Sequence, residues 1–110
     1  MFMIVGISGS PRKQSTEYVL EQALNSLKEK GFETQLWSAR GKWIEFCTHC
    51  DFCLENKVCT YQDDLEELYE LLAKANGIII ATPVYNGGVS SQTKTIMDRT
   101  RSLLAADKNF

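Results

Sequence analysis

The chain has 110 residues, 44% of them hydrophobic and 24% charged, with four cysteines, one histidine and a formal net charge of −2. One domain with one core is expected at roughly 100–200 residues per domain, and so ordinary a composition excludes collagen-like, low-complexity and disordered classes. Twelve Lys plus Arg against fourteen Asp plus Glu, nowhere concentrated, exclude a nucleic-acid patch, and no apolar run approaches the roughly 20 residues that cross a bilayer. Neither nucleic acid nor a membrane is an expected partner. Met1 to Ser10 has no charged leader and no small-residue cleavage site, so a cytoplasmic location is the expectation. In that reducing setting four cysteines read as metal ligands or redox groups before disulfides.

Phe2 to Ile7 is nearly all apolar and rich in β-branched residues, as in a strand covered on both faces. The loop Ser8 to Ser15 offers hydroxyls that can cap the helix after it. In that helix Val19, Leu20, Ala23, Leu24 and Leu27 share one face, Glu17, Glu21, Lys28 and Glu29 face water, and Gly31 closes the end. Phe32 to Trp37 reads as a second, more peripheral strand. The cysteine loop 38–61 has neither period, and a stretch that long implies a function or a staple of its own. Asp63 and Asp64 then cap a helix with the stripe Leu65, Leu68, Tyr69, Leu71, Leu72 and Ala75, closed by Asn76-Gly77. Gly77 to Thr82, with Ile78-Ile79-Ile80-Ala81, predicts a third, fully buried strand that Pro83 stops. A glycine-containing loop, Val84 to Ser91, leads to a last helix with Ile96, Met97, Leu103 and Leu104 roughly on one side. This alternation predicts an α/β fold, a doubly wound parallel sheet with no repeat and no second domain.

Ligands of such sheets bind beyond the carboxyl ends of the strands, which singles out the loops after the first and third strands. The first offers Ser8, Ser10, Ser15, Thr16, Arg12 and the free N–H groups of a helix start, a set suited to phosphate. It is neither the dinucleotide nor the nucleoside triphosphate fingerprint, so a terminal monophosphate fits better. The plainer reading is a turn whose serines only cap a helix. The second loop, Pro83 to Ser91, combines Tyr85, Asn86, Gly87 and Gly88, which could stack on a flat ring and let the backbone approach it. Its plainer reading is a loop needing positive φ at a glycine. Together the two loops describe a site for a mononucleotide with a planar ring system.

The cysteines Cys47, Cys50, Cys53 and Cys59 form a C-x2-C-x2-C-x5-C pattern. Thiolates at such gaps can converge on the corners of a cuboidal iron–sulfur cluster. Structural zinc, which usually takes two separated C-x2-C knuckles, and free redox thiols are the alternatives. His49, between two of the cysteines, and the run Asp63 to Glu67 read as solvated groups, and Trp37 and Trp43 as packing residues.

At Ser8-Gly9-Ser10-Pro11-Arg12, at Pro83-Val84-Tyr85-Asn86-Gly87-Gly88-Val89-Ser90-Ser91 and at Lys94, Asp98 and Arg99 the chain resembles the NADPH-dependent FMN reductase superfamily. With the compact cysteine motif it is similar to the archaeal-type iron–sulfur flavoprotein family within it, over the whole chain. The resemblance implies a flavodoxin-like fold, FMN on the two loops, and a [4Fe-4S] cluster on Cys47, Cys50, Cys53 and Cys59. It also implies homo-oligomers, dimers or tetramers, in which the cluster of one subunit lies near the FMN of a neighbour. Carried over residue by residue, Ser10, Pro11, Arg12, Ser15 and Thr16 would hold the FMN phosphate and ribityl chain, and Pro83, Val84, Tyr85, Asn86 and Gly87 would line the ring. The implied activity is electron transfer from a donor such as ferredoxin or NAD(P)H, through cluster and FMN, to oxygen, peroxide or a similar acceptor. Two other readings are an NAD(P)H-dependent FMN or quinone reductase without a cluster, and a zinc-stapled binding module. A flavodoxin-like domain has five parallel strands and three are expected here, in the order 2-1-3. The chain is thus expected to be the N-terminal part of such a domain, its third strand a bare edge that a longer protein or another chain completes.

Overall fold

The computed structural model describes residues 2–106. Its centre is a three-stranded parallel sheet in which β1 (Met3–Ser8) lies between β2 (Glu33–Ser38) and β3 (Gly77–Ala81). All six residues of β1 are buried, which is why an apolar run without polar alternation serves as this strand. On one face Met3, Val5 and Ile7 pack with Trp37, with Leu65, Leu68 and Leu72 of α3 (Leu65–Lys74), and with Ile96 of α4 (Ser91–Arg99). On the other face Ile4 meets Leu20 and Leu24 of α1 (Ser15–Glu29). Helices on both faces of a parallel sheet in this order make the fold flavodoxin-like. No helix among the described residues is long and apolar enough to cross a membrane.

One local expectation holds for an identifiable reason, and two features of the chain path go beyond what was expected. Gly31 takes φ +96°, its N–H reaches the Lys28 carbonyl at 3.0 Å, and the Phe32 N–H reaches Leu27 at 3.2 Å. That paired closure needs a left-handed residue, and glycine adopts one without a Cβ clash. The cysteine loop contains a short helix, α2 (Phe52–Asn56), and the final helical region breaks at Thr100 into α4 and α5 (Arg101–Ala106).

Other expectations are corrected. Glu17 does not face water: it is 2% exposed, one carboxylate oxygen lies 3.6 Å from the Arg40 guanidinium, and the other is buried without a hydrogen-bond partner among the described residues. Val19, on the expected apolar face, is exposed instead. No hydroxyl caps α1, because the chain enters the helix through Gln14 and the Ser10 hydroxyl is occupied by the Arg12 backbone. Asn76-Gly77 does not close α3 in a left-handed turn; Ala75 is extended, and Asn76 instead pairs with Met3 through its side chain and backbone. β3 is not fully buried, since Ile78 and Ile80 are each 48% exposed at the free edge of the sheet. The loop after β3 is a small hairpin, β4 (Val84–Tyr85) with β5 (Gly88–Val89), turned by Asn86 and Gly87 at φ 51° and 78°. Of the last apolar group, Ile96 is buried while Met97 and Leu104 face solvent.

Leu68 has no exposed surface and sits at the contact of α3 with the sheet. Leu68→Ala is expected to cost about 2–5 kcal/mol of stability, read from the urea midpoint, with the folded circular-dichroism spectrum retained.

Candidate functional site

The cysteine segment leaves β2, wraps around α2 and returns to α3. His49, Asp51 and Lys57 take left-handed backbone conformations with φ near 60°. For residues with a Cβ this backbone conformation is costly. The segment brings Cys47, Cys50, Cys53 and Cys59 to the wall of one pocket, together with Tyr61, Arg99 and Arg101. All four are free thiols; Cys53 is buried, Cys47 and Cys59 are half-buried and Cys50 is exposed. Among the described residues no three Cys, His, Asp or Glu side chains approach closely enough to hold a single metal ion. The four cysteines share the lining of one pocket without forming a single-ion site among the described residues. At the rim Arg101 donates to Asp51 at 2.6 Å, and the His49 ring lies 3.4 Å from the same carboxylate oxygen. The Arg101 hydrogen bond holds the Asp51 carboxyl below its usual range, and the carboxylate in turn raises Arg101.

Beneath the pocket lies a buried ion pair. Arg99 and Asp63 side chains are 1% and 0% exposed, with Nη1 2.7 Å and Nη2 3.2 Å from the two Asp63 oxygens. Nη1 also donates to the Glu45 carbonyl at 2.6 Å and Nη2 to the Tyr61 carbonyl at 3.3 Å. Asp63 accepts further bonds from the N–H groups of Glu45 at 2.8 Å and Leu65 at 3.2 Å. Burial pushes the Asp63 carboxyl up, but its hydrogen bonds with Arg99, Glu45 and Leu65 outweigh this and hold it below the usual carboxylate range. Burial likewise opposes the charge on Arg99, and the Asp63 carboxylate more than offsets it.

The run Asp63 to Glu67 is therefore not simply a solvated helix start: Asp63 is buried, and Asp64 turns away from the helix to accept from the Trp43 N–H at 2.6 Å. Trp37 packs as expected and donates to Glu67 at 2.7 Å, whereas Trp43 is 56% exposed and is not a core residue.

The two ligand loops meet at the carboxyl end of the sheet. The Gly9 N–H bonds the Ala81 carbonyl at 2.8 Å, extending the β1–β3 pairing by one residue. The buried Ser90 hydroxyl donates to the Gly9 carbonyl at 2.7 Å and accepts from the Thr93 N–H at 3.1 Å, capping α4, while Thr82 accepts from the Ser90 N–H at 3.0 Å. A Cβ on Gly9 would fall 1.8 Å from the Thr93 hydroxyl oxygen, so only glycine fits the crossing. Ser15 and Thr16 line an open cleft that continues along Ala81 and Thr82. Pro11 and Arg12 are exposed and Ser10 is buried. Pro83 is half-buried, and Val84, Tyr85, Asn86 and Gly87 form the exposed hairpin. The structure thus brings the four cysteines to one pocket and the two loops to one edge. The residues that sequence reasoning missed as parts of a site are Asp63 and Thr93, and Ser90 entered only as a member of the second loop, with no role attached. Arg99 entered it only through a family pattern, with no role attached.

Residues 2–110 match the family described as NADPH-dependent FMN reductase. An iron-sulfur flavoprotein of Archaeoglobus fulgidus is 60% identical over 108 residues, covering 98% of this chain and 55% of that protein. One of Methanocaldococcus jannaschii is 53% identical over 103 residues, covering 93% of this chain and 52% of its own length. Among solved structures, a flavone reductase superposes with a TM-score of 0.71 at 29% identity, over 90% of this chain and 30% of that one. The chain spans about half the length of the curated relatives it matches.

Gly9→Ala is expected to separate the two loops and lower stability by about 1–3 kcal/mol, measured as a fall in melting temperature. Asp63→Asn is expected to cost roughly 3–5 kcal/mol, because it leaves the Arg99 charge buried without its partner. Since the Asp63 carboxyl titrates lower when folded than unfolded, the pair's contribution is complete above about pH 4 and is lost as pH falls through the folded value. The urea midpoint of the unmodified protein should therefore drop on acidification below about pH 4, and Asp63→Asn should remove part of that drop.

Proposed function

The chain belongs to the NADPH-dependent FMN reductase family, and from that premise we propose that it carries the cluster-binding and FMN-binding elements of an electron-transfer iron–sulfur flavoprotein. The observation that carries this reading is the gathering of Cys47, Cys50, Cys53 and Cys59 around one pocket. The donor set fits a [4Fe-4S] cluster: four free thiols, each able to serve a different iron, which need not converge at single-ion distance. The names of the curated relatives, iron-sulfur flavoproteins, support the same assignment. When bound, the cluster would accept single electrons from a donor such as ferredoxin, or NAD(P)H would supply the reducing equivalents, and FMN would pass them to oxygen, peroxide or a similar acceptor.

The chain's own residues bind and orient. Of the four candidate ligands Cys53 is buried and Cys50 is exposed. The exposed Arg12 guanidinium, the Ser15 and Thr16 hydroxyls and the uncapped N–H groups of α1 offer donors to a terminal phosphate. Ser10 shapes this loop through its two bonds to the Arg12 backbone. Pro83, Val84, Tyr85, Asn86 and Gly87 present an aromatic side chain and a backbone edge to the flat ring. A homo-oligomer, dimer or tetramer, in a reducing cytoplasm completes the proposal.

Anaerobic purification with iron, acid-labile sulfide and flavin analysis tests this reading. Iron and sulfide are expected in equal amounts alongside FMN, and Cys50→Ala is expected to lose most of the iron while retaining flavin. Flavin without iron would instead support a cluster-free NAD(P)H-dependent reductase, and stoichiometric zinc in a colourless protein would support a zinc-stapled module.

A further inference from the structure

The segment that carries the thiols has little internal support. It contains one five-residue helix, its path passes through the left-handed residues His49, Asp51 and Lys57, and Phe46, Phe52, Leu54 and Val58 are turned toward solvent. Its two ends, by contrast, are tied at one point. Glu45, just before Cys47, and Tyr61, just after Cys59, both give their carbonyls to the Arg99 guanidinium, at 2.6 and 3.3 Å. Asp63 accepts from both terminal nitrogens of Arg99 and from the Glu45 N–H. The guanidinium also lies 5.6 Å from the centre of the Tyr61 ring. Its Nε is buried without an acceptor among the described residues, and Arg99 forms part of the wall of the pocket that the four cysteines line.

We propose that Arg99 and Asp63 are positioning residues for the cluster: they close the neck of the cysteine segment, so that the four thiols surround one pocket before metal arrives. This deepens, and rests on, the assignment of Cys47, Cys50, Cys53 and Cys59 as cluster ligands. Closing a loop at its neck removes conformational freedom that metal binding would otherwise have to remove. A guanidinium suits the task because its planar fork serves two carbonyls and a carboxylate at once, which an ammonium on a flexible stem cannot. Its permanent charge also lies beside thiolates that carry negative charge when they ligate metal, and local charge is one of the levers on cluster potential.

The test compares the unmodified full chain with Arg99→Lys and Arg99→Met. In the metal-free proteins, both variants are expected to speed proteolytic cleavage within residues 46–60 by a larger factor than they speed amide exchange of β1, which reports only the pair's share of global stability. After anaerobic reconstitution with iron and sulfide, both are expected to lose iron to a chelator roughly 10- to 100-fold faster, the range seen when outer-shell partners of metal ligands are removed. Only Arg99→Met is expected to lower the midpoint potential, since Arg99→Lys keeps the charge. Unchanged cleavage and chelation rates in both variants would overturn the proposal. So would loss of β1 protection in step with the segment, because Arg99 would then support the whole fold and not the neck. An unchanged potential in Arg99→Met would overturn the role of its charge. If the unmodified protein takes up no iron, the cluster assignment fails, and the cleavage comparison in the metal-free proteins alone decides the neck.

Discussion

A buried guanidinium–carboxylate pair organises this half of the molecule. Arg99 on α4 and Asp63 at the entry to α3 have almost no exposed side-chain surface, so their charges give up water and are tolerable only when paired and hydrogen-bonded. The compensation comes from the two ends of the cysteine segment, through the Glu45 and Tyr61 carbonyls and the Glu45 N–H. One interaction thus binds together a helix start, a second helix and the loop between β2 and α3. The loop's fold depends on a pair that lies outside it in sequence.

A second joint works at the carboxyl end of the sheet. β1 and β3 are parallel neighbours, so the loops that follow them emerge side by side. Gly9 and Ser90 lock them together at a spacing that leaves no room for a Cβ. The cysteine pocket rests on the Arg99 side chain of α4, and the ligand loops rest on the Ser90 cap of the same helix. α4 therefore touches both candidate sites.

Much of this was legible in the sequence where one physical signal dominates. β1 could be read because a strand buried on both faces needs no polar alternation, and the strand order 2-1-3 came with the family resemblance. The cysteine spacing marked one pocket because ligand spacing is local. The apolar run Ile78 to Ala81 reads as fully buried, whereas the family-derived strand order makes it an edge, and Ile78 and Ile80 are half-exposed there, because burial depends on what lies beside a strand and an apolar run does not encode that. Glu17 and Asp63 were misread because, in sequence, a buried carboxylate looks like a solvated one: the partners Arg40 and Arg99 are distant along the chain. Asn86-Gly87 reads as part of a ligand loop or of a loop needing positive φ at a glycine, and the structure forms a hairpin there with Gly87 at positive φ.

The central claim is that Cys47, Cys50, Cys53 and Cys59 act as one set of ligands around one pocket. Electron paramagnetic resonance of the dithionite-reduced, anaerobically prepared protein tests it most directly. The account predicts the signal of a reduced [4Fe-4S] cluster that disappears when Cys59, the ligand farthest along the chain from the other three, is replaced by alanine. A reduced protein showing only a flavin radical, or an iron signal unchanged in Cys59→Ala, would contradict it.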